Sequence, residues 1–472
     1  MIERHRIVDL LLLYLCVLAL GGLAVAQPTQ ASSKQVPVLE GLRPQIDFWK
    51  AIFTTYSSKQ VVFHDRDDLS RVYSALDFSA LDESGLTDGQ IALRRREAVE
   101  AEAQRLRTLL IDLSNRGGDY SSLPKEDQRV ARLFGARPDP SALAAAAEEG
   151  RVRGQTGLRD RFLRGLEISR RYLPMMETIF RAEGVPIELT RLPFVESGFN
   201  VEAYSKVGAA GLWQFMPATG RLYMTVGDAV DERRDPITST VAAARFLKGN
   251  YEALGTWPLA VTAYNHGRAG IARAVSSVGS KDLVKIVRTY RGPSFGFASR
   301  NFYAEFIAAY EVDRDADRYF GPIRGESELH VETVEVPVSA SFASLARAAN
   351  IDPVTLAELN PAISDEAVSG RLAVPRGYGL KLPHGRRRTF ESRGEMITAA
   401  ASRPAPKPGR RTAAAGRSGA KSRFVRHTVR RGQTLQSIAR QYQTTVNQIR
   451  RHNRLRNPDT VPVGQTLIIP RG

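Results

Sequence analysis

The sequence predicts a mainly α-helical protein of several domains that carries a small βααβ module twice. Three observations lead there. From about Gly157 to Phe320, apolar residues recur at helical spacing between short loops rich in glycine, proline and asparagine. After about Leu329 the pattern changes to short alternating strands and short helices, and then repeats. At 472 residues the chain is also too long for one ordinary domain.

At the N-terminus, Arg4 and Arg6 precede an apolar run from Ile7 to Ala26 that ends in Ala24-Val25-Ala26, so residues 1–26 read as a signal peptide removed on export. The alternative is an uncleaved membrane anchor; Asp9, the Gly21-Gly22 break and the lack of basic residues just beyond the run argue against it. The single cysteine, Cys16, follows Tyr14-Leu15 rather than the small residues of a lipid-attachment site, so lipoprotein anchoring is not expected. The mature chain then has no cysteine, and no metal site or cofactor is expected.

Residues 36–153 read as an N-terminal, mostly helical region of unassigned role, with an amphipathic helix near Ile91 to Ser114 and the helix-prone run Ala142 to Ala147. Residues 157–320 form the all-helical domain. In it Gly165 to Ala182 is a helix stopped by Gly184, and Pro258 and Gly267 bracket another. Residues 331–384 are the first module and residues 424–470 the second. Setting Val334 to Asn360 against His427 to Asn453, about 93 positions apart, aligns Val336 with Val429, Leu356 with Ile449 and Asn360 with Asn453. Residues 385–422, dominated by Arg, Ala, Gly, Pro and Ser, read as a disordered cationic linker. The formal charge of +17 attracts polyanions. Export makes a cell wall with its peptide carboxylates the expected partner, and no nucleic-acid partner is expected.

Glu196 is the first candidate for chemistry. It closes a short helix between Pro186 and Gly198, on the same face as Leu189, Leu192 and Pro193. A carboxyl group aimed at apolar neighbours is disfavoured as an anion, which raises its pKa toward what a general acid needs. A glutamate satisfied by Arg191 or by capping contacts is the alternative reading. The segment Gly208 to Gly220 supplies small residues, then Trp213, Gln214 and Phe215, a set suited either to a sugar or to a core. Ala263-Tyr-Asn-His-Gly267 projects polar groups from a helix end, and Asn301-Phe-Tyr303 opens a further helix.

In order and spacing, Glu196-Ser197, Gly211 to Thr219, Ala263 to Gly267 and Tyr303 resemble the soluble-lytic-transglycosylase family, most closely its membrane-bound murein transglycosylase D branch. The resemblance covers about Gly157 to Phe320. It implies a goose-lysozyme-like α-helical domain that cleaves the β-1,4 bond from N-acetylmuramic acid to N-acetylglucosamine and forms a 1,6-anhydro ring. Glu196 would be the acid and then the base. Ser197, Gln214, Phe215, Tyr264, Asn265 and Tyr303 would bind substrate or support Glu196. The repeated module resembles LysM, a peptidoglycan-binding domain. Its glycan site would map to Gly432, Thr434, Leu435, Asn453 and Leu455, while the first copy, with Ser339 in place of Gly432 and Phe342 in place of Leu435, is degenerate.

The expected protein is therefore a periplasmic or envelope enzyme acting on peptidoglycan glycan strands, at most peripheral to a membrane. A lysozyme-type hydrolase on the same fold and a catalytically silent wall-binding protein are the alternatives.

Overall fold

The computed structural model describes residues 36–394 and 397 and, in the C-terminal module, 424–429, 435, 438, 439, 442, 444, 446–453 and 466–470. The expected leader, most of the expected linker, and Gly432, Thr434 and Leu455 lie outside the described residues. Helices dominate, so the mainly α class read from the periodicity is the class observed.

Helix α1, Arg43–Thr54, buries Ile46, Trp49, Ile52 and Phe53 along one face. That face belongs to the core of the helical domain: Phe53 stacks on Phe162 at 4.7 Å between centroids, and Phe162 on Phe194 at 4.7 Å. Strands β1, Gln60–Asp65, and β2, Val72–Asp77, come next, then helices α2, Asp88–Asn115, α3, Lys125–Arg132, and α4, Pro140–Ala146. Strand β3, Val152–Thr156, completes an antiparallel sheet in the order β2-β1-β3.

The region read over residues 36–153 is helical over more than half its length, with a sheet beside the helices, but it is not separate from the helical domain. Its first helix belongs to the helical domain, and its remainder is a sheet with helices on one side. The sheet escaped notice because β1 is central and apolar on both faces. Val61 and Phe63 pack under α2 and α4 with Leu106, Leu110 and Leu143, while Val62 faces the helical core and the His64 ring lies 4.6 Å from Phe48. A strand covered on both sides reads as a continuous apolar run, not as an alternation.

Helix α5, Arg159–Glu183, turns Phe162, Leu166, Leu173, Met176 and Phe180 inward, and Gly184 ends it with φ of 70°. A 3-10 turn, Ile187–Arg191, leads into α6, Leu192–Glu196. Helix α7, Pro236–Leu254, is capped by the Asp235 side chain, which accepts from the amides of Ile237 and Thr238. Then come α8, Trp257–His266, α9, Arg268–Val278, α10, Leu283–Thr289, and α11, Phe297–Arg314. Helix α11 runs through the core with Phe302, Tyr303, Phe306, Ile307 and Val312 buried.

The first module pairs β4, Val331–Glu335, with β5, Gly379–Pro383, antiparallel around α12, Phe342–Ala349, and α13, Pro353–Leu359. It is joined to the helical domain. Backbone amides of Asp231 and Ser364 donate to the carbonyls of Ala362 and Ala229, and Lys381 of β5 pairs with Asp235, both almost fully buried. The expected linker start at residue 385 is corrected as well. Helix α14, Arg387–Ser392, packs Phe390 into the module core, and Ile397 is buried there too. With Met396, those two are the large apolar residues at the start of the stretch. The second module pairs β6, Phe424–Thr428, with β7, Thr466–Pro470, and carries α15, Val446–Asn453, with Leu435, Ile438, Ile449, Leu467 and Ile469 in its core.

Breaking a buried ion pair from one side leaves the other charge unpaired, which costs about 3–5 kcal/mol. Lys381→Met is therefore expected to lower stability by about that amount, and Lys381→Met with Asp235→Asn to recover part of it. Urea denaturation of the two variants measures both, and equal losses would show that the pair does not couple module to domain.

Candidate functional site

Glu196 sits at the C-terminal end of α6, after the fully buried Leu189 and Leu192 and the buried Pro193 and Phe194. It is itself half-buried, so its carboxyl reaches solvent from a largely apolar wall. Among the described residues it has neither an ion pair nor a hydrogen bond, and burial alone lifts its pKa from the ordinary 4.5 to about 8. The reading in which Arg191 satisfies it does not hold. Arg191 donates from Nε to Asp313 at 2.9 Å and from one terminal nitrogen to Glu177 at 2.5 Å.

One loop is fastened beside Glu196 from two sides. Ser197 Oγ donates to the Leu212 carbonyl at 2.9 Å, and Tyr264 Oη to the Trp213 carbonyl at 2.8 Å. Gly211, at φ of 75°, is required there, because a Cβ would stand 1.9 Å from the Arg233 carbonyl oxygen. Arg233, itself 2% exposed, grips Asp231 and donates to the carbonyls of Gly208 and Phe215 at 2.6 and 3.0 Å. Gln214 is left half-buried with φ of 47°, a left-handed backbone that a non-glycine residue holds only when its surroundings impose it. Its Nε2 donates to the Gly211 carbonyl at 2.8 Å, which leaves its side-chain oxygen open.

From α8, Tyr264 is half-buried, and burial together with the charge of Glu196 raises its phenol well above the usual range. The exposed Asn265 is positioned through its Oδ1, which accepts from Ser299 Oγ at 3.0 Å, while Ser299 Oγ lies 3.1 Å from His266 Nδ1. Thus Glu196, Ser197, Gln214, Tyr264 and Asn265 come together on one side of the helical core.

Two sequence-predicted residues do not join them. Phe215 is 3% exposed and packs against Tyr264, Phe246 and Tyr223, so it is core beneath the site; its position in a row of large apolar residues allowed both readings. Tyr303 is 1% exposed and its hydroxyl donates to the Pro37 carbonyl at 2.6 Å, which ties down the N-terminal segment. Sequence reasoning also passed over Glu305, half-buried on α11, whose pKa burial and the charge of Glu196 raise to about 8. Its one signal in the sequence was a carboxylate between Ala304 and Phe306 in a helix otherwise turned to the core. Among the described residues no group of three His, Cys, Asp or Glu is arranged to hold a metal.

In the second module Leu435 is buried in its core. Asn453 donates to the carbonyls of Ile449 and Ile468 at 2.7 and 2.8 Å and accepts from the Ile468 amide at 2.6 Å. Asn360 makes the same three bonds in the first module, to Leu356 and Lys381. The asparagine expected to bind glycan is thus a clamp from helix to last strand, with its amide already satisfied.

A carboxyl whose folded-state pKa lies above its unfolded value favours folding at low pH; that contribution is lost as pH rises from about 4.5 to about 8. Glu196→Gln removes this dependence. The melting temperature of the variant relative to the natural protein is expected to rise between pH 5 and pH 8.5, by calorimetry. A constant difference would mean an ordinary, well-solvated Glu196.

The family model of the transglycosylase SLT domain matches residues 179–287, and that of the LysM domain residues 427–470. Membrane-bound lytic murein transglycosylase D of Escherichia coli strain K12 is 28% identical over 307 residues, 62% of this chain and 62% of that protein, so the chain spans under two thirds of the relative's length. The cortical fragment-lytic enzyme of Bacillus subtilis strain 168 is 50% identical over 44 residues, 9% of this chain and 10% of that one. The crystal structure of the 70 kDa soluble lytic transglycosylase of Escherichia coli overlaps with a TM-score of 0.28 at 16% identity, over 62% of this chain and 55% of that one, too loosely to equate the two folds. Residues 179–287, which hold Glu196, Gln214 and Tyr264, are a transglycosylase SLT domain, residues 427–470 are a LysM domain, and the chain is homologous to membrane-bound lytic murein transglycosylase D.

Proposed function

We propose that this chain is a peptidoglycan lytic transglycosylase, exported to the periplasm and held on the wall by its LysM domain. The observation that carries the reading is the unpaired carboxyl of Glu196, kept protonated near neutral pH by burial and still open to solvent. Glu196 gives its proton to the glycosidic oxygen between N-acetylmuramic acid and N-acetylglucosamine, and the C1–O bond breaks. The carboxylate left behind is poorly solvated and therefore a strong base. It takes the proton of the muramoyl 6-hydroxyl as that oxygen closes on C1, which yields the 1,6-anhydro ring and restores the acid.

The neighbours divide the remaining work. The open oxygen of Gln214 and the exposed amide of Asn265 are placed to hold the sugars. Ser197 and Tyr264 hold the 211–214 loop against Glu196 through backbone carbonyls. The LysM domain raises the local concentration of glycan without adding a catalytic contact. The net charge of +17 favours an anionic wall. No helix among the described residues is long and apolar enough to cross a membrane.

Digestion of purified sacculi, with mass spectrometry of the released muropeptides, tests the proposal. The expected products end in 1,6-anhydro-N-acetylmuramic acid, and Glu196→Gln is expected to lower their rate of release by roughly 10²–10⁴-fold. Products with a reducing end would assign a hydrolase instead, and undiminished digestion by the variant would remove Glu196 from the mechanism.

A further inference from the structure

A hairpin of the helical domain is gripped by the first module. Residues 225–231 fold back on themselves, with the Gly227 amide donating to the Val230 carbonyl at 2.9 Å and Val226 bridged to Asp231. The tip then belongs to the module as much as to the domain. Val230, 1% exposed, lies in the module core together with Phe342, Leu356 and Ile363, and it is also bridged to Ile363 through the backbone. On either side of it, the Asp231 amide donates to the Ala362 carbonyl at 2.8 Å and the Ser364 amide to the Ala229 carbonyl at 3.0 Å.

From this fixed tip, side chains lead to the segment beside Glu196. Asp231 holds Arg233 with both carboxylate oxygens, Oδ1 accepting from Nε at 2.8 Å and Oδ2 from Nη2 at 2.7 Å. The remaining terminal nitrogen, Nη1, donates to the Gly208 and Phe215 carbonyls at 2.6 and 3.0 Å, so one planar guanidinium joins Asp231 to both ends of the segment 208–215. Gly220 leaves room for it, because a Cβ there would stand 2.9 Å from Arg233 Cδ. A second tie runs through α7. Lys381 of β5 pairs with Asp235, the cap of α7, and in the second turn of that helix Thr240 Oγ1 accepts from Trp213 Nε1 at 2.9 Å. Gln214 lies between the two tied residues, Trp213 and Phe215, in the left-handed conformation that its surroundings must impose.

We propose that the first module is a positioning element of the catalytic site. Through Val230 and Asp231 it fixes Arg233, and Arg233 holds Gln214 in the conformation that meets the sugar. At 2% exposed, Arg233 cannot reach a substrate and acts only through the segment it holds. The role of Gln214 toward sugar rests on the transglycosylase reading, whereas the mechanical link does not. A contact far from the chemistry matters in this way because a misplacement of about 1 Å at the reacting end can cost about 100-fold in rate.

Two measurements on the full chain test the link. In release of anhydro-muropeptides from sacculi, Arg233→Lys keeps the charge but loses the planar fork, and it is expected to lower kcat/KM by about 10- to 100-fold. In a Gln214→Asn background, whose shortened amide no longer meets the sugar, the same substitution is expected to cost less than about threefold, since coupled residues are not additive. Equal losses in the two backgrounds, or no loss in either, overturn the proposal. The second measurement needs no activity. In a chain carrying 13C,15N-glutamine, the Gln214 resonance, assigned by its loss in Gln214→Asn, is expected to shift or broaden in Val230→Ala, while those of Gln45 and Gln155 stay in place. An unmoved Gln214 resonance overturns the link, and so does equal movement of all three, which would mean general loosening. If Gln214 alone responds but the natural protein releases no anhydro product, the link holds and the transglycosylase reading fails.

Discussion

The site depends on one constraint: a carboxyl group held where its charge has no partner. The nearby cation that could have relieved it, Arg191, is drawn off by Asp313 and Glu177, and its own side chain is largely enclosed. That arrangement leaves Glu196 with an unfavourable anion and hence a proton to give near neutral pH. An arginine on Glu196 would stabilise the fold and abolish the acid. The network around Arg191 satisfies a buried guanidinium with two carboxylates and draws it away from the end of α6 that carries Glu196.

The residues around Glu196 act largely through the backbone. Ser197 and Tyr264 both donate to carbonyls of the 212–213 segment, and Arg233 donates to two more carbonyls around the same loop. With the carbonyls of Gly208, Gly211, Leu212, Trp213 and Phe215 occupied, the loop is held in place, which keeps Gln214 in a left-handed conformation beside Glu196. Side chains that a motif marks as functional thus divide in two. Gln214 and Asn265 present open polar groups, whereas Ser197, Tyr264, Phe215 and Tyr303 fix the frame that presents them.

Much of this was legible in the sequence. Helical spacing gave the all-helical character of residues 157–320, and Gly184, Pro258 and Gly267 marked helix ends, because both signals are local, whereas the start read at Gly165 falls inside a helix that begins at Arg159. The position of Glu196 on an apolar face was legible for the same reason. What was not legible depends on distant packing. Nothing local in Arg43–Thr54 says that its apolar face joins the core built by residues beyond 157, and nothing in Val61–Phe63 separates a central strand from an apolar coil. The role of Tyr303 was missed because its acceptor is Pro37, far away in sequence. Glu305 was missed because its burial arises only from tertiary packing.

The two modules show how one scaffold takes two positions in a chain. Both use an asparagine to clamp the second helix to the last strand, through the same three bonds. The residue whose amide that asparagine accepts differs: Lys381 in the first copy and Ile468 in the second. Lys381 is 4% exposed and reaches Asp235, the residue that caps α7, so the first module is fastened to a helix of the SLT domain. Ile468 is 41% exposed. At the position fixed by the clamp the first module thus presents a buried lysine that pairs with Asp235, and the second an exposed isoleucine.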